Sequence, residues 1–493
     1  MTADSANKSI HFPLFNFQFI SLVKKIFVYT LTAICCTTVL YAQKKNIQTS
    51  GGISTEMMQQ MKKSYGGNAA DKALRNIMVT NSPNKLAVNY DNSTKFDAHF
   101  SHKVESKAIT DQKSSGRCWM FTGMNVLRNK AIRKHNLPAD FQFSQAYTFF
   151  YDQLEKSNLF LQAIIDTYKK PFDDKEVEWL FKNPLSDGGQ FTGVANLIDK
   201  YGLVPADVMP ETYNTNNTSS ISGLIKLKLR EDGLQLREMA AQKGCTPQKL
   251  QATKTEMLTT IYRMLALAFG EPPATFTWTQ RDAKGNIVET AEYTPMSFYE
   301  KFAKQDFSTY YMIMNDPTRE YHKVYEIEYD RHVYDGQNWR YLNLPMEDIA
   351  KMCIASIKDS TMMYFSCDVG KFLDRDKGFM DENNFDYASL MGTTFGMNKE
   401  QRVRTFASGS SHAMTLCAVD LDKDGKPLKW MVENSWGSKY GHDGFLIMTN
   451  DWFNEYMFRV VIEDKYIPAN LKAELNQKPI MLPAWDPMFA PEE

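Results

Sequence analysis

The stretch of residues 110–128 constrains the chain most, because it combines a reactive side chain with a helix start. Gln112 stands six residues before Cys118, and apolar residues such as Met120 and Met124 then recur at helical spacing. A polar, glycine-containing turn precedes the cysteine, so we expect the thiol at the first turn of a helix. The positive end of a helix favours a thiolate. Without partners, however, a lone cysteine on an apolar helix is more commonly structural.

The overall composition excludes several classes of function. The chain has 493 residues, of which 43% are hydrophobic, enough for a large core and for more than one lobe. Its 57 basic and 58 acidic residues balance, so no global charge attracts nucleic acid or an anionic membrane. We therefore expect no nucleic-acid partner.

Residues 1–42 have the pattern of an export signal. Lys24 and Lys25 precede an apolar run, and Ala42 ends it with a small residue suited to cleavage. The run is shorter than the roughly 20 residues that a membrane-spanning helix needs, so cleavage is favoured over anchoring. We expect an exported protein, periplasmic or secreted, without a stable membrane anchor. A cytoplasmic location is the alternative.

The cysteines and acidic clusters give no sign of a metal site or a disulfide scaffold. Five of the seven cysteines lie beyond the leader, an odd number that leaves at least one thiol outside any intramolecular bridge. No Cys/His cluster has zinc spacing. The acidic loop 420–425 is similar to the start of a calcium-binding loop, but Met431 stands where a bidentate glutamate is required, so we interpret it as a hairpin turn. We expect no metal and no cofactor.

A histidine and an asparagine in the C-terminal part are candidate partners for Cys118. His412 opens a strand-like run, and Asn434 follows a second run at 429–432 after a short turn. Antiparallel strands joined by such a turn bring the two side chains close together. The other histidines beyond the leader lie in mostly polar stretches and are expected at the surface. They are His99, His102, His135, His322, His332 and His442.

The motifs around these residues resemble those of the papain superfamily. Gln112, the Cys-Trp segment at 115–119, His412 and the Asn-Ser-Trp-Gly segment at 434–437 follow the order found there. The interval from Cys118 to His412 far exceeds the roughly 130–150 residues typical of papain, which indicates a large insertion.

Further motifs narrow the resemblance to the bleomycin hydrolase and aminopeptidase C family of papain-like cysteine peptidases. The resemblance implies an α+β fold, with a two-lobed papain-like peptidase core, a large helical insertion and a C-terminal arm. The chain departs from the family pattern in its leader, at Ser411 and in its tail at residues 489–493. The motifs are Phe143-Ser144-Gln145, Asp187-Gly188-Gly189-Gln190, Cys367-Asp368-Val369-Gly370-Lys371, Val432-Glu433-Asn434-Ser435-Trp436-Gly437 and Leu482-Pro483-Ala484-Trp485-Asp486-Pro487-Met488.

The resemblance and the changes of pattern along the chain predict six segments. They are a signal peptide at 1–42, an N-terminal wrapping segment at 43–105, a papain-like helical lobe with the nucleophile at 106–225, an inserted helical lobe at 226–345, a papain-like β lobe with the histidine and asparagine at 346–488, and the tip of a C-terminal arm in the cleft at 489–493.

The resemblance also implies a role for each site residue. Cys118 would be the nucleophile, His412 the acid and base, and Asn434 the group that orients the imidazole. Gln112 and the backbone N–H of Cys118 would form the oxyanion hole. Trp436 would shield the hydrogen bond between His412 and Asn434 from water.

Substrate binding is implied at two further places. The backbone of Gly188 and Gly189 would pair with an extended peptide, and the terminal carboxylate of Glu493 would capture the free amine of the substrate. The expected activity is that of a cysteine aminopeptidase acting on peptides, assembled as a homo-oligomer, a hexamer by family resemblance. Two alternatives stay open, namely an exported papain-like endopeptidase with an open cleft and a non-catalytic binding homologue.

Overall fold

The computed structural model describes residues 51–65, 67–106 and 108–489, the last without its side chain. The signal peptide expected at residues 1–42 and the terminal Glu493 lie outside the described residues.

The chain divides into two compact units, residues 1–82 and residues 83–493. In the first unit, the described part contains helix α1 (Thr55–Tyr65) and helix α2 (Ala69–Met78). The side chain of Asn68 caps α2 by accepting a backbone N–H of its first turn. The wrapping segment expected at residues 43–105 spans the boundary between the two units.

The second unit is built on strands that come mostly from its C-terminal half. Its strands are β1 (His102–Lys103), β2 (Phe276–Arg281), β3 (Ile287–Tyr293), β4 (Tyr310–Met314), β5 (Lys323–Ile327), β6 (Arg340–Asn343), β7 (Met363–Cys367), β8 (Leu373–Asp374), β9 (Phe379–Met380), β10 (His412–Leu421), β11 (Pro427–Glu433), β12 (Phe445–Thr449), β13 (Met457–Glu463) and β14 (Ile480–Leu482).

Most of these strands join one mixed sheet. Within the described residues its order is β14-β5-β6-β4-β13-β7-β10-β11-β12-β9-β8, with β1 paired to β10, while β2 and β3 form a separate hairpin. β10 is antiparallel to both of its neighbours, and its register places His412 opposite Cys367 and Thr415 opposite Glu433. The start of β10 and the residue after β11, Asn434, therefore lie at the same end of the strands.

The helices of the second unit cover the sheet and extend the core. They are α3 (Pro83–Leu86), α4 (Cys118–His135), α5 (Gln145–Asp166), α6 (Lys175–Lys182), α7 (Phe191–Tyr201), α8 (Tyr213–Asn216), α9 (Ser219–Ala241), α10 (Pro247–Phe269), α11 (Pro295–Phe302), α12 (Met346–Lys358), α13 (Tyr387–Met391), α14 (Lys399–Arg404), α15 (Asn450–Tyr456) and α16 (Ala469–Glu474).

Helix α4 packs against β10 and β7 on one side and against α5 and α7 on another. It is buried along nearly its whole length, from Cys118 to Ile132, which is more than the single apolar face that its sequence pattern indicates. β10 is in turn contacted by both α4 and α12. Burial on both faces explains why β10 reads as a continuous apolar run instead of an alternating one.

Side-chain caps and tight turns define the ends of several elements. Ser144 caps α5 by accepting the backbone N–H of Tyr147, and Thr246 caps α10 in the same way ahead of its first residue, a proline. Strands β2 and β3 form a hairpin. The acidic loop 420–425 is a hairpin turn between β10 and β11, where Asp422 Oδ1 accepts two backbone N–H groups.

The range expected to form an inserted helical lobe, residues 226–345, is divided between two structures. Helices α9 and α10 pack on α5 and extend the helical core. Strands β4, β5 and β6, by contrast, complete the large sheet next to β13. Their buried apolar residues need the cover of that sheet, so the helical part of the range ends at Phe302. In the described part of the chain, no helix has both the length and the apolar character to cross a bilayer.

Candidate active site

Cys118 is the first residue of α4 and is fully buried. Two bonds to one residue hold the turn around it: the backbone N–H of Gly116 donates to Asp187 Oδ2 at 3.1 Å, and Trp119 Nε1 donates to the Asp187 carbonyl oxygen at 2.8 Å. Cys118 forms no disulfide with any cysteine of the described chain. It occupies the positive end of α4, where N–H groups have no partner within the helix, and this position favours a thiolate.

The residue before the cysteine is fixed by an ion pair. Arg117 is fully buried, and its Nη1 and Nη2 donate to the two carboxylate oxygens of Glu211 at 3.0 and 2.8 Å. The guanidinium also lies over the rings of Phe121 and Phe149. A bidentate pair of this kind fixes geometry as well as charge, so the entry into α4 has little freedom.

His412 and Asn434 meet where the structure places the ends of β10 and β11. His412 Nε2 lies 2.8 Å from Asn434 Oδ1, and both residues are 2% exposed. The same oxygen accepts the backbone N–H of Ser435 at 2.8 Å, which identifies it as the amide oxygen. Nε2 is therefore the protonated ring nitrogen of the neutral imidazole, and Nδ1 is the basic one.

Trp436 covers this pair. Its ring centre lies 4.8 Å from that of His412, with the two planes inclined by 31°. The indole therefore covers one face of the imidazole, and its role in keeping water from the hydrogen bond between His412 and Asn434 stays a prediction.

Gln112 is joined to the residue that follows Asn434. The backbone N–H of Gln112 donates to the carbonyl oxygen of Ser435 at 2.8 Å, and Ser435 Oγ donates to Gln112 Oε1 at 2.7 Å. One N–H of the Gln112 amide donates to the carbonyl oxygen of Ser115 at 2.7 Å. The amide nitrogen has a second hydrogen, which is the donor that an oxyanion hole requires.

Gly188 and Gly189 lie against the helix that carries the cysteine. A side chain at Gly189 would stand 2.2 Å from His332 Cε1 and 2.7 Å from the ring of Trp119, so this position has no room for a Cβ. Lys156 Nζ donates to the carbonyl oxygen of Gly188 at 2.6 Å and to that of Ser186 at 2.9 Å. The glycine segment is therefore held in place by a lysine whose side chain is 11% exposed.

That lysine belongs to a charged cluster that the sequence does not reveal. Asp152 is fully buried; its Oδ2 accepts Lys156 Nζ at 2.9 Å, and its Oδ1 lies 2.6 Å from His332 Nδ1. His332 packs on Trp119 with ring centres 4.6 Å apart. The expectation that His332 lies at the surface is wrong, because it is 4% exposed despite its polar sequence neighbours. The opposite charges four residues apart on a buried helix were the one available signal.

Burial determines the charge states of this cluster. Burial lowers the pKa of His332, with the Lys156 charge acting in the same direction and Asp152 opposing it. Burial alone would raise the pKa of Asp152, but Lys156 and His332 together hold it below its usual range. The cluster therefore contains a neutral imidazole between a carboxylate and the glycine segment.

A cavity of about 490 Å³ opens along this wall. Its lining includes Gly188, Gly189 and the C-terminal residues 484–487. The arm that carries these residues runs from β14, which pairs with β5, and is fixed at its end by Arg459, whose Nη2 donates to the carbonyl oxygen of Met488 at 2.5 Å. Glu493, expected at the tip, lies outside the described residues.

The structure thus brings Gln112, His412, Asn434 and Trp436 together through Ser435, and connects Gly188 and Gly189 to the start of α4 through Asp187. The described residues contain no group of three or more His, Cys, Asp or Glu residues arranged to hold a metal ion.

Comparisons with known proteins identify the family of the chain. The model of the Peptidase C1-like family matches residues 52–489. Human bleomycin hydrolase is 41% identical over 402 residues, which cover 79% of this chain and 88% of that protein. Aminopeptidase C of Lactobacillus delbrueckii subsp. lactis is 36% identical over 420 residues, covering 84% and 93%. The crystal structure of PepW from Lactobacillus rhamnosis HN001 has a TM-score of 0.86 at 37% identity, covering 90% of this chain and 100% of that one. The chain therefore belongs to the Peptidase C1-like family, in the group that contains the bleomycin hydrolases and aminopeptidases C.

Proposed function

We propose that this protein is a cysteine aminopeptidase that removes N-terminal residues from peptides through a thiolate at Cys118. The observation that carries the proposal is the 2.8 Å bond between His412 Nε2 and Asn434 Oδ1, covered by Trp436. This bond orients the imidazole and leaves Nδ1 as the nitrogen that exchanges a proton with the thiol. The names of the relatives, which include aminopeptidases C, G and E, support the same activity.

The proposed reaction has two steps. The Cys118 thiolate attacks the carbonyl carbon of the first peptide bond; the C–N bond then breaks, and the leaving nitrogen takes a proton from the His412 imidazolium. Water then hydrolyses the resulting thioester, and His412 accepts a proton from the attacking water. The second N–H of the Gln112 amide and the backbone N–H of Cys118 stabilise the oxyanion in both steps.

The C-terminal arm supports exopeptidase action. Residues 484–487 line the cavity beside Gly188 and Gly189, on the side that would receive the acyl part of the substrate. An arm held there leaves less space for substrate residues that precede the scissile bond. We propose that the tail beyond Met488, ending at Glu493, meets the free amine of the substrate and limits cleavage to the first residue.

Purified protein assayed on an alanyl reporter and on its N-acetylated form tests this function. Wild type should hydrolyse the free reporter and not the acetylated one. Cys118→Ala should lose at least about 10⁴-fold in kcat, whereas Cys245→Ala, which removes a half-buried thiol elsewhere, should retain full activity.

Other outcomes would point to the alternative functions. Cleavage of the acetylated reporter by the intact protein would indicate an endopeptidase. Unchanged activity in Cys118→Ala would exclude the thiol mechanism and favour a non-catalytic binding protein. Deleting residues 490–493 should release cleavage of the acetylated reporter if the tail enforces the restriction.

We further propose that the protein is exported after removal of residues 1–42 and that it assembles as a hexamer. The charge and hydropathy pattern of the leader supports the first proposal, and the family resemblance supports the second. N-terminal sequencing of protein from fractionated cells tests export, which an intact leader in the cytosol would contradict. Sedimentation velocity tests the assembly, and a monomer at micromolar concentration would contradict it.

A further inference from the structure

A second cavity, of about 770 Å³, adjoins the candidate site at Trp436. It includes Trp436, whose ring lies against His412, and Asp111, which forms a β-bridge with Trp436 next to Gln112. Within the described chain it shares no lining residue with the cavity beside Gly189. The two cavities are therefore separate.

The proposed function assigns each cavity to one part of the substrate, and the inference rests on that function. The glycine segment and the C-terminal arm occupy the cavity that would hold the acyl part of the substrate. The cavity beside Trp436 is then the one that receives the peptide released by the first step. A peptide bond placed across Cys118 and His412 directs its leaving nitrogen towards His412, and Trp436 is the next surface beyond that residue.

The lining of this second cavity is positively charged, although the whole chain carries a net charge of only −1. Lys113, Arg375 and Lys439 contribute three cations, against the single carboxylate of Asp111. That carboxylate already pairs with Lys113, at 2.5 Å between Nζ and Oδ2. Arg375 and Lys439 are therefore the cations that remain for a ligand.

Arg375 is held in a suitable position. It lies on the turn between β8 and β9, where Asp374 Oδ1 accepts two backbone N–H groups and orders the turn. Its guanidinium stands 5.8 Å from the centre of the Trp436 ring. A guanidinium over an aromatic face keeps its in-plane N–H donors available for a carboxylate.

We propose that the cavity beside Trp436 is a leaving-peptide subsite that selects a carboxylate, and that Arg375 and Lys439 determine this specificity. The carboxylate comes either from an acidic side chain after the scissile bond or from the C-terminus of a very short peptide. In both cases the same two cations bind it, and lysine at the same substrate position is repelled.

Substrates that share an N-terminal alanine separate these sources. Ala-Ala amide is the neutral reference, Ala-Ala free acid carries the terminal carboxylate, Ala-Glu amide carries the side-chain carboxylate, and Ala-Lys amide carries the opposite charge. We expect kcat/KM to be about three- to tenfold higher for at least one carboxylate substrate than for the neutral one, the range of a partly exposed charged pair. Ala-Lys amide should be the poorest substrate.

Substituting the cations tests the residues themselves. Arg375→Gln and Lys439→Gln, both at exposed positions, should bring the ratio of carboxylate to neutral substrate towards one, with Ala-Ala amide as the reference within each variant. Lys423→Gln on the β10–β11 turn changes the net charge equally and should leave the ratio as in wild type.

Three results would overturn the inference: equal kcat/KM for Ala-Glu amide and Ala-Lys amide, an equal loss on every substrate in Arg375→Gln, or an equal change in Lys423→Gln. An inactive alanyl reporter would instead contradict the proposed function, so the two failures are distinguishable.

Discussion

Gln112 and Ser435 bind each other twice, although they lie on segments far apart in the chain. The backbone N–H of Gln112 donates to the Ser435 carbonyl oxygen at 2.8 Å, and Ser435 Oγ donates to Gln112 Oε1 at 2.7 Å. Ser435 also donates its own N–H to Asn434 Oδ1. A single residue therefore fixes both the proposed oxyanion donor and the group that orients His412.

Ser435→Ala should lower kcat with little change in KM. The variant loses the hydroxyl that holds the Gln112 amide in place, while both backbone bonds remain. Loss of one neutral hydrogen bond, worth about 1 kcal/mol, corresponds to about fivefold in rate. Steady-state kinetics on the alanyl reporter would measure it.

Gln112→Glu provides the matched comparison. It keeps an oxygen for Ser435 Oγ but removes the N–H donor, so the loss should be much larger, about 10²–10³-fold in kcat. Equal losses in Ser435→Ala and Gln112→Glu would contradict an oxyanion role for the amide.

Lys156→Met should raise KM about tenfold and leave kcat nearly unchanged. Lys156 Nζ holds the carbonyl oxygens of Ser186 and Gly188, and charge-assisted bonds of this type contribute about 1.5–3 kcal/mol each. In the proposed function the glycine segment would bind substrate and transition state alike, so we expect its loosening to act mainly on KM. The measurement is a full Michaelis–Menten series.

Lys182→Met is the control for this change. Lys182 lines the same cavity, but its Nζ pairs with Glu178 at 2.6 Å. The Lys182→Met variant therefore loses an equal charge without freeing the glycine segment, and its KM should match that of wild type. A comparable rise in KM in both variants would show that charge in the cavity, and not support of Gly188, is responsible.

The conformational stability of the protein should fall as the pH drops below about 6.5 in a way that depends on His332. Burial lowers the pKa of this imidazole in the folded chain below the value of about 6.5 in the unfolded chain. The unfolded state then binds the additional proton, so the stability from neutral His332 is present above pH 6.5 and is lost as the pH falls towards the folded pKa.

Denaturant unfolding of wild type and His332→Gln between pH 7.5 and pH 5 would measure this effect. The variant should be less stable at pH 7.5, because the ring packed on Trp119 is lost, and its stability should depend less on pH. Parallel pH dependences in the two proteins would exclude His332 as the titrating group.

Sequence motifs located the parts of the site that have a fixed residue type. Cys118 at a helix start, His412 at a strand start and Asn434 after the next strand could be predicted because local periodicity and an antiparallel turn already imply their placement. The cluster that supports Gly188 could not be predicted, because Asp152 and His332, which contact each other, are 180 residues apart in the chain. No local pattern encodes such a contact.

Only those strands of the sheet that have a clear local sequence pattern could be predicted. Strands β10 and β11 have ten and seven residues, and their sequence pattern alone predicts them. Strands β4 and β6 are short runs of mixed tyrosine, methionine and asparagine, whose extended form depends on pairing with β13 and β5. Their place in the sheet is a consequence of tertiary packing.

Asp486→Asn should loosen the C-terminal arm and allow hydrolysis of the N-acetylated reporter. Asp486 is buried, forms an ion pair with Arg319 through its Oδ2 and accepts the backbone N–H of Met488 at Oδ1, at 3.0 Å. Arg319 is 24% exposed and keeps Asp316 as a second partner, so the substitution removes one partly exposed ion pair, worth about 1 kcal/mol. Part of that cost falls on the arm, which then leaves the acyl side of the cavity more often.

The ratio of acetylated to free reporter hydrolysis is the quantity to measure. Asp335→Asn is the matched control, because its carboxylate is 72% exposed and pairs with Lys200 away from the arm. We expect the ratio to rise in Asp486→Asn, and further when residues 490–493 are also removed, but not in Asp335→Asn. If Asp486→Asn loses stability while the ratio stays at the wild-type value, the arm does not set the restriction, and exopeptidase action would have to arise from the cleft itself.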